Sequence, residues 1–347
     1  MPIYSADRLR SLGRAIFEAV GAPEPVARRV ADALVDANLV GHDSHGVIRI
    51  PSYVNAVRQG HVIPTAEPEI VNESASYALV NGNWTFGQVS AAFATKLAIA
   101  KAKEQKVAAV GVVRCSHIGR LGEYAMMAAE EGVLALIVAG GFVGPGSQVA
   151  PFGGARPTFG TNPLSFGAPA GDQPPVVVDF ATSAVASGKI LVARAKGEQL
   201  PPGSIIDRDG RPTTDPEAFY NGGMLLPFGG HKGYSLALVV SVLSAQLTGV
   251  DAHGRDGKGS GTFILGIDAG SFRSRESYGQ ATDALFNQIK GVPPAPGFTE
   301  VLIPGEPEER TKAKRGAEGV PVPETIHGQL IETARSLGTS VDSILAV

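Results

Sequence analysis

The sequence predicts an α/β fold, and three observations lead to this prediction. Between Ile70 and Val138, short apolar runs alternate with longer segments of helical spacing, which is the strand–helix–strand pattern of α/β proteins. Residues 5–40 show helical spacing alone, which indicates an additional helical part. The 44 glycines, near twice the usual share of about 7%, are spread through turns and indicate many close backbone approaches.

The N-terminal part is predicted to contain two helices. Ser5 suits the start of the first helix. Residues 22–25 form a proline-containing turn before the second, since proline is tolerated in the first turn of a helix. The following segment, 41–53, is predicted to be helical from about Ser44, and residues 59–68 to form an extended loop.

The other elements are predicted from apolar runs and the turns between them. Residues 189–195 fit either a short helix or a strand, and 251–261 is predicted to be a flexible loop because it holds four glycines. The predicted strands are 77–80, 107–113, 133–138, 176–180 and 262–267, and the predicted helices are 93–106, 122–132, 233–247 and 323–337. We expect residues 1–68 and 310–347 to form a helical domain, and residues 69–309 to form the α/β region that binds ligands.

Charge and composition limit the function classes. The net charge is −3, with 30 basic and 33 acidic residues mixed along the chain, so no basic stripe marks a nucleic-acid surface. Charged residues make up 18% of the chain, below the typical share of about 25%, which favours extra buried surface and therefore oligomerisation. Cys115 is the single cysteine, which excludes an intramolecular disulfide and fits a reducing cytoplasm.

We expect a cytoplasmic protein without a membrane span. The first ten residues carry charges and no apolar signal-peptide core. Two uncharged runs, 132–155 and 233–250, hold glycines or hydroxyl side chains, which favours burial in a protein core over contact with lipid.

Standard nucleotide and catalytic motifs are absent. The sequence holds no Gly-x-Gly-x-x-Gly and no P-loop, so a regular Rossmann fingerprint is excluded. It also lacks a Gly-x-Ser-x-Gly nucleophile elbow and a His-Glu-x-x-His motif. His42 and His45 are close enough in sequence to share a metal ion, but no further cluster of ligands accompanies them, so we expect no metal.

The segment 41–53 carries the strongest chemical signal. If it is helical, Arg49 lies one turn after His45 and Tyr53 one turn further, all on one face. An imidazole beside a fixed positive charge can hold a small carboxylate and move a proton on a neighbouring oxygen. The alternative is a polar helix cap with Asp43 or Ser44 at its first position.

Other candidate residues lie where predicted strands end or helices begin. His117 and Arg120 follow the strand 107–113, where α/β proteins place ligands, although a histidine there can also bond the backbone. Asp179 closes another strand and can orient a histidine, bind a ribose hydroxyl or cap a helix. Lys232, at the start of the apolar helix, favours an anion site over a glycine-rich turn. The turn 160–163 and the acid at Glu306 also suit purely structural roles.

Taken together, these segments resemble the type-2 malate/L-lactate dehydrogenase family, whose members bind a nicotinamide cofactor without the usual Rossmann fold. The resemblance therefore implies a non-Rossmann NAD(P)-binding α/β fold, with a mixed sheet flanked by helices. The matching segments, in chain order, are 41–53, 86–89, 116–122, 150–154, 159–163, 179–183, 212–214, 231–234 and 302–306.

The resemblance also implies roles for individual residues. His45 or His117 would give the proton to the substrate, Arg49 would hold the substrate carboxylate with Ser44 and Tyr53 nearby, and Asp179 would assist a histidine. The cofactor-binding positions would be His45, Arg120, Thr161, Asn162, Asp179, Phe180, Ala181, Thr182, Ser183, His231, Lys232, Gly305 and Glu306. The cofactor would be NAD or NADP, with NADH favoured, and the protein would be a homodimer acting on 2-oxo and 2-hydroxy acids.

One segment departs from the family pattern and leaves the substrate open. Many members carry a polar residue after the strand matching 133–138, but this chain has Phe142 and Val143 there, which suits a larger or more apolar 2-oxo acid. Alternatives within the family are a cyclic imine carboxylate reductase and a ureidoglycolate or sulfolactate dehydrogenase. A more distant alternative is a hydrolase that uses Ser44 and His45, while a pure binding protein would leave His45 and Arg49 without a shared purpose.

Overall fold

A seven-stranded sheet forms the centre of the structure, a computed structural model that describes residues 1–141, 147–250 and 260–340. The strands, in chain order, are β1 (Ile3–Tyr4), β2 (Glu69–Glu73), β3 (Tyr77–Asn81), β4 (Val107–Cys115), β5 (Val133–Gly141), β6 (Pro163–Ala168), β7 (Val176–Ala181), β8 (Ile205–Ile206), β9 (Pro212–Thr213), β10 (Met224–Leu225), β11 (Ser260–Asp268) and β12 (Val320–Pro321). The helices are α1 (Ala6–Ala19), α2 (Glu24–Leu39), α3 (Ile50–Arg58), α4 (Gly87–Gln105), α5 (Gly122–Glu130), α6 (Ser187–Lys196), α7 (Pro216–Tyr220), α8 (His231–Ser241), α9 (Arg275–Lys290), α10 (Glu306–Glu318) and α11 (Glu324–Ser336).

The sheet is mixed, which confirms the predicted fold class. Its spatial order is β2–β3–β4–β11–β5–β6–β7, and β3–β4 is its one parallel pair. The central strand β11 comes from late in the chain and lies antiparallel between β4 and β5. This insertion separates the fold from doubly wound parallel sheets, where every strand runs in one direction.

Helices cover both faces of the sheet. Along β4, Val110 and Val112 point to the face on which α4 and α5 pack, and they share an apolar core with Tyr124. On the other face, Val138 of β5 and Phe263 of β11 pack against Val240 of α8. Because successive strand residues point to opposite faces, near-continuous apolar runs such as 107–113 are what a sheet buried on both sides requires.

The helical part joins the two ends of the chain. Leu9, Leu34 and Ile50 of the N-terminal helices share one core with Leu330 of α11. The short strands β1 and β12 pair beside it. These contacts agree with a helical unit built from both termini, and the proposed domain boundaries stay a prediction.

Local signals mark the starts of α1 and α2. The hydroxyl of Ser5 accepts a hydrogen bond from the Arg8 N–H, which caps α1, and Pro25 lies in the first turn of α2. Residues 189–195, for which the sequence fits either a helix or a strand, are helical and lie within α6. The apolar helix 233–247 begins earlier, at His231, and its last turn, 242–246, widens to a π-helix.

One local prediction is wrong: segment 41–53 is not a helix from Ser44. Residues 43–45 and 47–49 form two separate 3-10 turns, Gly46 between them is extended, and α3 begins only at Ile50. The Val47 N–H, which an α-helix would bond to the Asp43 carbonyl, instead donates to Oδ1 of Asn38 at 2.8 Å. A buried side chain from α2 therefore interrupts the helix.

Some predictions fall on residues outside the described part. Phe142 and Val143 belong to that group, as does most of the predicted loop 251–261. Within the three described ranges, no helix is both long and apolar enough to cross a membrane. The same ranges contain no group of three His, Cys, Asp or Glu residues placed to bind a metal ion.

Candidate active site

Segment 42–49 is held in place by polar contacts to α2 and α10. Asn38 is 3% exposed, and its Nδ2 donates to Asp43 Oδ1 at 2.6 Å. Arg315 of α10 donates to both oxygens of the Asp43 carboxylate, at 2.7 and 3.0 Å. A Cβ at Gly46 would lie 2.2 Å from the Asn38 side chain, so this position has no room for a larger residue. The anchored segment fixes the positions of Ser44, His45 and Arg49.

His45, Arg49 and His117 meet in space. Nδ1 of His45 lies 3.0 Å from the Ser44 hydroxyl, and Arg49 Nε donates to the Ser44 carbonyl at 2.6 Å. The rings of His45 and His117 stack with centroids 5.6 Å apart and planes at 19°. The predicted proximity of His45 to Arg49 therefore arises through a turn and a shared contact to Ser44, not through one helical face.

The loop after β4 brings His117 to this place. Gly87, the first residue of α4, packs so closely on the loop that a Cβ there would lie 2.4 Å from the Ser116 carbonyl oxygen and 2.3 Å from that of His117. Nδ1 of His117 lies 2.7 Å from the Tyr53 hydroxyl, which also accepts from Nε2 of Gln88 at 2.8 Å. Tyr53 is buried, and its hydroxyl is bonded to His117 and Gln88.

The surroundings hold both imidazoles neutral at neutral pH. Burial, followed by the positive charge of Arg49, lowers the pKa of His45 to about 4, and Arg120 contributes in the same direction. Burial of the imidazole within the site and then Arg49 lower the pKa of His117 to about 3, although the residue as a whole is exposed to solvent. Two cationic side chains beside neutral histidines create a place that favours an anion.

A second polar cluster lies at the end of β7. Asp179 accepts the Gly122 N–H at 2.7 Å. Burial raises the pKa of its carboxyl, opposed by the Gly122 N–H and then by Arg120 and His42. Nε of Arg120 is buried and has no hydrogen-bond partner among the described residues. Among the described residues, the Asp179 carboxylate is bonded to a backbone N–H and not to a histidine. The expected assistance of Asp179 to a histidine stays a prediction.

Residues 161–162 and 180–183 form a hydrogen-bonded border to this cluster. The Thr161 carbonyl accepts from the backbone N–H of Thr182 at 2.9 Å and from its hydroxyl at 3.0 Å. Asn162, buried with φ 41°, donates to the Ala237 carbonyl at 2.9 Å, and the Ser183 hydroxyl donates to the Val185 carbonyl at 2.9 Å. Phe180 is partly exposed and meets another ring edge-on. These contacts tie β6, β7 and α8 together at the predicted cofactor positions.

The start of α8 has the features of an anion site. Gly229 and Gly230 have φ of 56° and 60°, and no side chain caps the helix. His231 and Lys232 are exposed in its first turn. The N–H groups of Lys232 and Gly233 bond the carbonyls of Gly229 and Phe228, so the Lys232 side chain and the positive end of the helix dipole are the features that favour phosphate here.

The predicted positions Gly305 and Glu306 have structural roles in the chain itself. Gly305, with φ 104°, precedes α10. Glu306 accepts the Ile303 N–H at 2.8 Å and forms an ion pair with Lys290. The acid therefore stabilises the start of α10, which is the dipole role noted from the sequence, and its contact with a cofactor stays a prediction.

Sequence reasoning assigned no role to several residues of this site. Gln88 lies in a segment that matches the family, but its residue type indicates no role, and neither Asn38 nor Arg315 belongs to a recognisable motif. The partner of His42 was missed as well: its Nε2 lies 3.2 Å from Glu308 Oε1. All these contacts join residues far apart in sequence or lying on different elements, so spacing carries no signal for them.

Comparison with known proteins places the chain among dehydrogenases. A family model described as malate/L-lactate dehydrogenase matches residues 4–331. L-sulfolactate dehydrogenase of Methanocaldococcus jannaschii is 36% identical over 95% of this chain and 96% of its own length. Hydroxycarboxylate dehydrogenase B of Escherichia coli is 36% identical over 99% of this chain and 96% of its own length.

Solved structures agree with the sequence comparison. The sulfolactate dehydrogenase structure from M. jannaschii superposes with a TM-score of 0.90 at 35% identity, covering 99% of each chain. Malate dehydrogenase from Pyrococcus horikoshii superposes with a TM-score of 0.87 at 34% identity, covering 98% of this chain and 96% of that one. The chain belongs to the malate/L-lactate dehydrogenase family.

Proposed function

We propose that this protein is a nicotinamide-dependent dehydrogenase that interconverts 2-oxo acids and 2-hydroxy acids. The observation that carries the proposal is the meeting of Arg49, His45 and His117, which puts a carboxylate-binding cation beside two proton-carrying rings. The names of the relatives, which include malate, sulfolactate and hydroxycarboxylate dehydrogenases, support the same reaction class.

Arg49 is suited to hold the substrate carboxylate. Its Nε donates to the Ser44 carbonyl, which orients the guanidinium, and no hydrogen bond within the described residues uses its terminal nitrogens. Two parallel N–H donors match the two oxygens of a carboxylate. A substrate held in this way presents one face of its carbonyl carbon to the cofactor.

The residues present fit a nicotinamide dinucleotide. The buried Nε of Arg120, which has no partner among the described residues, provides a donor at the end of β7, and the Lys232 side chain at the start of α8 provides a donor for phosphate. Thr161, Asn162, the stretch 179–183 and Gly305-Glu306 would border the same cofactor. When bound, the cofactor supplies or accepts the hydride. We propose NADH as the cofactor from the family resemblance, with NADPH as the alternative.

His45 is the proposed proton donor, because Arg49 lies beside it. During reduction the charge that develops on the carbonyl oxygen is neutralised by a proton from the imidazole, and oxidation takes the proton back. The pKa of His45 is low in the free protein, and a substrate carboxylate paired with Arg49 would cancel part of the repulsion that lowers it. Substrate binding is therefore expected to raise the pKa of His45 and favour its protonated form.

The test is oxidation of NADH and NADPH by the purified protein with a panel of 2-oxo acids of different size and charge. We expect turnover of 2-oxo acids by the wild-type protein, and we expect His45→Ala and Arg49→Ala to abolish it. The control substitutions His61→Ala and Arg8→Ala, at exposed positions, should leave the turnover unchanged. Absence of turnover with every 2-oxo acid would contradict the proposed reaction. Absence of nucleotide binding would contradict the cofactor assignment as well.

A cyclic imine carboxylate reductase is the second candidate. Pyrroline-2-carboxylate/piperideine-2-carboxylate reductase of Pseudomonas putida is 38% identical over 91% of this chain and 92% of its own length. A protonated imine carries its own proton, so histidines with low pKa values would suit it, and Arg49 would hold the same carboxylate. Faster turnover of cyclic imines than of any ketone acid would favour this reaction.

We also propose a homodimer. The last turn of α8 and the π-helical turn that follows it expose apolar side chains, namely Leu238, Val239, Val242 and Leu247, of which Leu247 is 64% exposed. A contiguous apolar face on a helix is typical of a protein contact, and the low share of charged residues, 18%, points the same way. The single cysteine, Cys115, is buried and free, which supports the proposed cytoplasmic location.

A further inference from the structure

We infer that Gln88 is a positioning residue: through Tyr53 it holds His117 in the neutral tautomer that carries its proton on Nε2. The inference deepens the proposed function by giving the two histidines different tasks. It stands on a chain of two hydrogen bonds that runs from the first turn of α4 to the ring of His117.

The geometry of this chain is well defined. Nε2 of Gln88 lies 2.8 Å from the Tyr53 oxygen, and that oxygen lies 2.7 Å from Nδ1 of His117. The Tyr53 ring is fixed by Phe17 and Phe86, with centroids 6.5 and 6.2 Å away. A phenol packed against these two rings has little freedom to bond to other partners.

The direction of the hydrogen bonds follows from their chemistry. An amide N–H can only donate, so the Tyr53 oxygen accepts from Gln88. If Nδ1 of His117 also donated to this oxygen, the buried phenolic proton would have no acceptor among the described residues, so the phenol donates to His117. Nδ1 of His117 must then present its lone pair, which places the ring proton on Nε2. Burial raises the pKa of Tyr53 to about 12, so the phenol keeps its proton, and His117 is neutral at the same pH.

Gln88 is better explained as a donor than as packing. Its side chain is 1% exposed, and its Oε1 is buried without a hydrogen-bond partner among the described residues. An unsatisfied buried acceptor costs about 1–3 kcal/mol, which an apolar side chain of similar volume would avoid. The loop bearing His117 also packs on the amide, since a Cβ at Gly119 would lie 3.2 Å from Nε2 of Gln88.

The two stacked rings would therefore have different roles in the reaction. His117 keeps its Nε2 proton and offers it as a fixed hydrogen-bond donor to the oxygen on which charge develops. His45, whose Nδ1 contacts the Ser44 hydroxyl, is the ring that gives up a proton during reduction and regains it during oxidation. The proton count balances: one proton leaves protonated His45, and none leaves His117.

The test is nitrogen NMR of protein labelled with 15N in its imidazole rings, without ligand, at neutral pH. The His117 signals are identified by their loss in His117→Gln, and exposed His61 serves as the internal reference for a free ring. We expect His117 to show a protonated Nε2 and an unprotonated Nδ1. A His117 ring protonated on Nδ1, or one that mixes tautomers as a free imidazole in water does, would overturn the inference.

Two variants extend the test to the positioning residues. In Gln88→Met and Tyr53→Phe, His117 should lose its tautomer preference, and in Gln88→Met kcat should fall roughly tenfold with little change in KM. An unchanged tautomer in a folded Gln88→Met protein would contradict the role of Gln88. The wild-type spectrum can be recorded without any turnover. A fixed His117 tautomer in a protein that reduces no 2-oxo acid would contradict the proposed function but support the role of Gln88.

Discussion

Arg49 acts on both the substrate and the proton donor. Its charge attracts a carboxylate, and the same charge, after burial, lowers the pKa of His45 to about 4. An empty site therefore keeps the histidine neutral, and an occupied one favours its protonation. The proposed chemistry depends on this coupling between residues that lie four positions apart.

The pH dependence of both directions follows from the low pKa of His45. Reduction needs the protonated ring, so kcat/KM for reduction should fall about tenfold for each pH unit above 4. Oxidation needs the neutral ring, so its kcat/KM should be flat above pH 5 and fall below 4. Initial rates from pH 5 to 8 check the fall of reduction and the plateau of oxidation, and a reduction that is independent of pH in this range would place the proton source elsewhere.

Arg49→Lys separates charge from geometry. Lysine keeps the positive charge but lacks the planar pair of donors, so we expect kcat/KM for 2-oxo acids to fall roughly tenfold to a hundredfold, mostly through KM. The low pKa of His45 should persist, because the charge persists. Steady-state kinetics measure both effects, and Arg156→Lys, at an exposed position, is the matched control.

At the scale of elements, the site depends on how the turns at 43–45 and 47–49 are anchored. Asn38 fills the space beside Gly46 and takes the N–H of Val47, while Arg315 holds Asp43. These contacts replace an α-helix by two turns, and thereby set where His45 lies relative to His117.

Gly46→Ala tests this anchoring. The added methyl would lie 2.2 Å from Asn38 Oδ1, so the turn must shift. We expect a loss of about 1–3 kcal/mol in the free energy of unfolding and a larger loss of activity than of stability. Gly316→Ala, in an exposed helical position with open space around it, should be neutral or slightly stabilising. Full activity in folded Gly46→Ala would show that the turn tolerates displacement.

Asp268 joins the end of β11 to two neighbouring elements. It is 4% exposed and lies 2.9 Å from Lys106 Nζ and 3.0 Å from Arg275 Nη2. Burial acts to raise its pKa, but the Gly270 N–H, Lys106 and Arg275 together lower it to about 2. The folded value lies below the unfolded one, so the stabilisation is present above about pH 4 and is lost as pH falls through 2.

Asp268→Asn should therefore cost about 2 kcal/mol of unfolding free energy at pH 7, with the deficit shrinking as pH falls toward 2. Urea unfolding at a series of pH values measures this. Asp209→Asn removes an exposed ion pair with Arg211 and should change stability by less than about 0.5 kcal/mol. A deficit that does not depend on pH would assign the effect to packing rather than to charge.

At the scale of the whole molecule, a single chain leaves exposed the apolar face formed by Leu238, Val239, Val242 and Leu247. Leu238→Lys, which places a charge on this face, should convert a dimer into a monomer. Leu285→Lys, at an equally exposed apolar position on α9, should leave the mass unchanged. Analytical ultracentrifugation distinguishes the outcomes, and a wild-type monomer at all concentrations would contradict the proposed dimer.

Much of the fold follows from local pattern. The valine-rich run of β4 alternates between two buried faces, and the N-terminal helices begin at Ser5 and at the proline-containing turn, as their residues predict. Such features depend on neighbours within a few positions, which a sequence displays directly. The segments that carry His45, Arg49 and His117 could be selected for the same reason, since their residue types suit the chemistry.

Tertiary structure alone decided how these segments meet. No pattern in β11 indicates that it enters between β4 and β5, and no spacing relates Gln88 to Tyr53, 35 residues away, or Tyr53 to His117, 64 residues away. Such contacts arise from the packing of whole elements against each other. The free energy of this packing is spread over many side chains, so no single segment of the sequence indicates it. The sequence by itself determined the fold class, the family and the reactive groups, whereas their distances, partners and pKa values arose only when the chain packed.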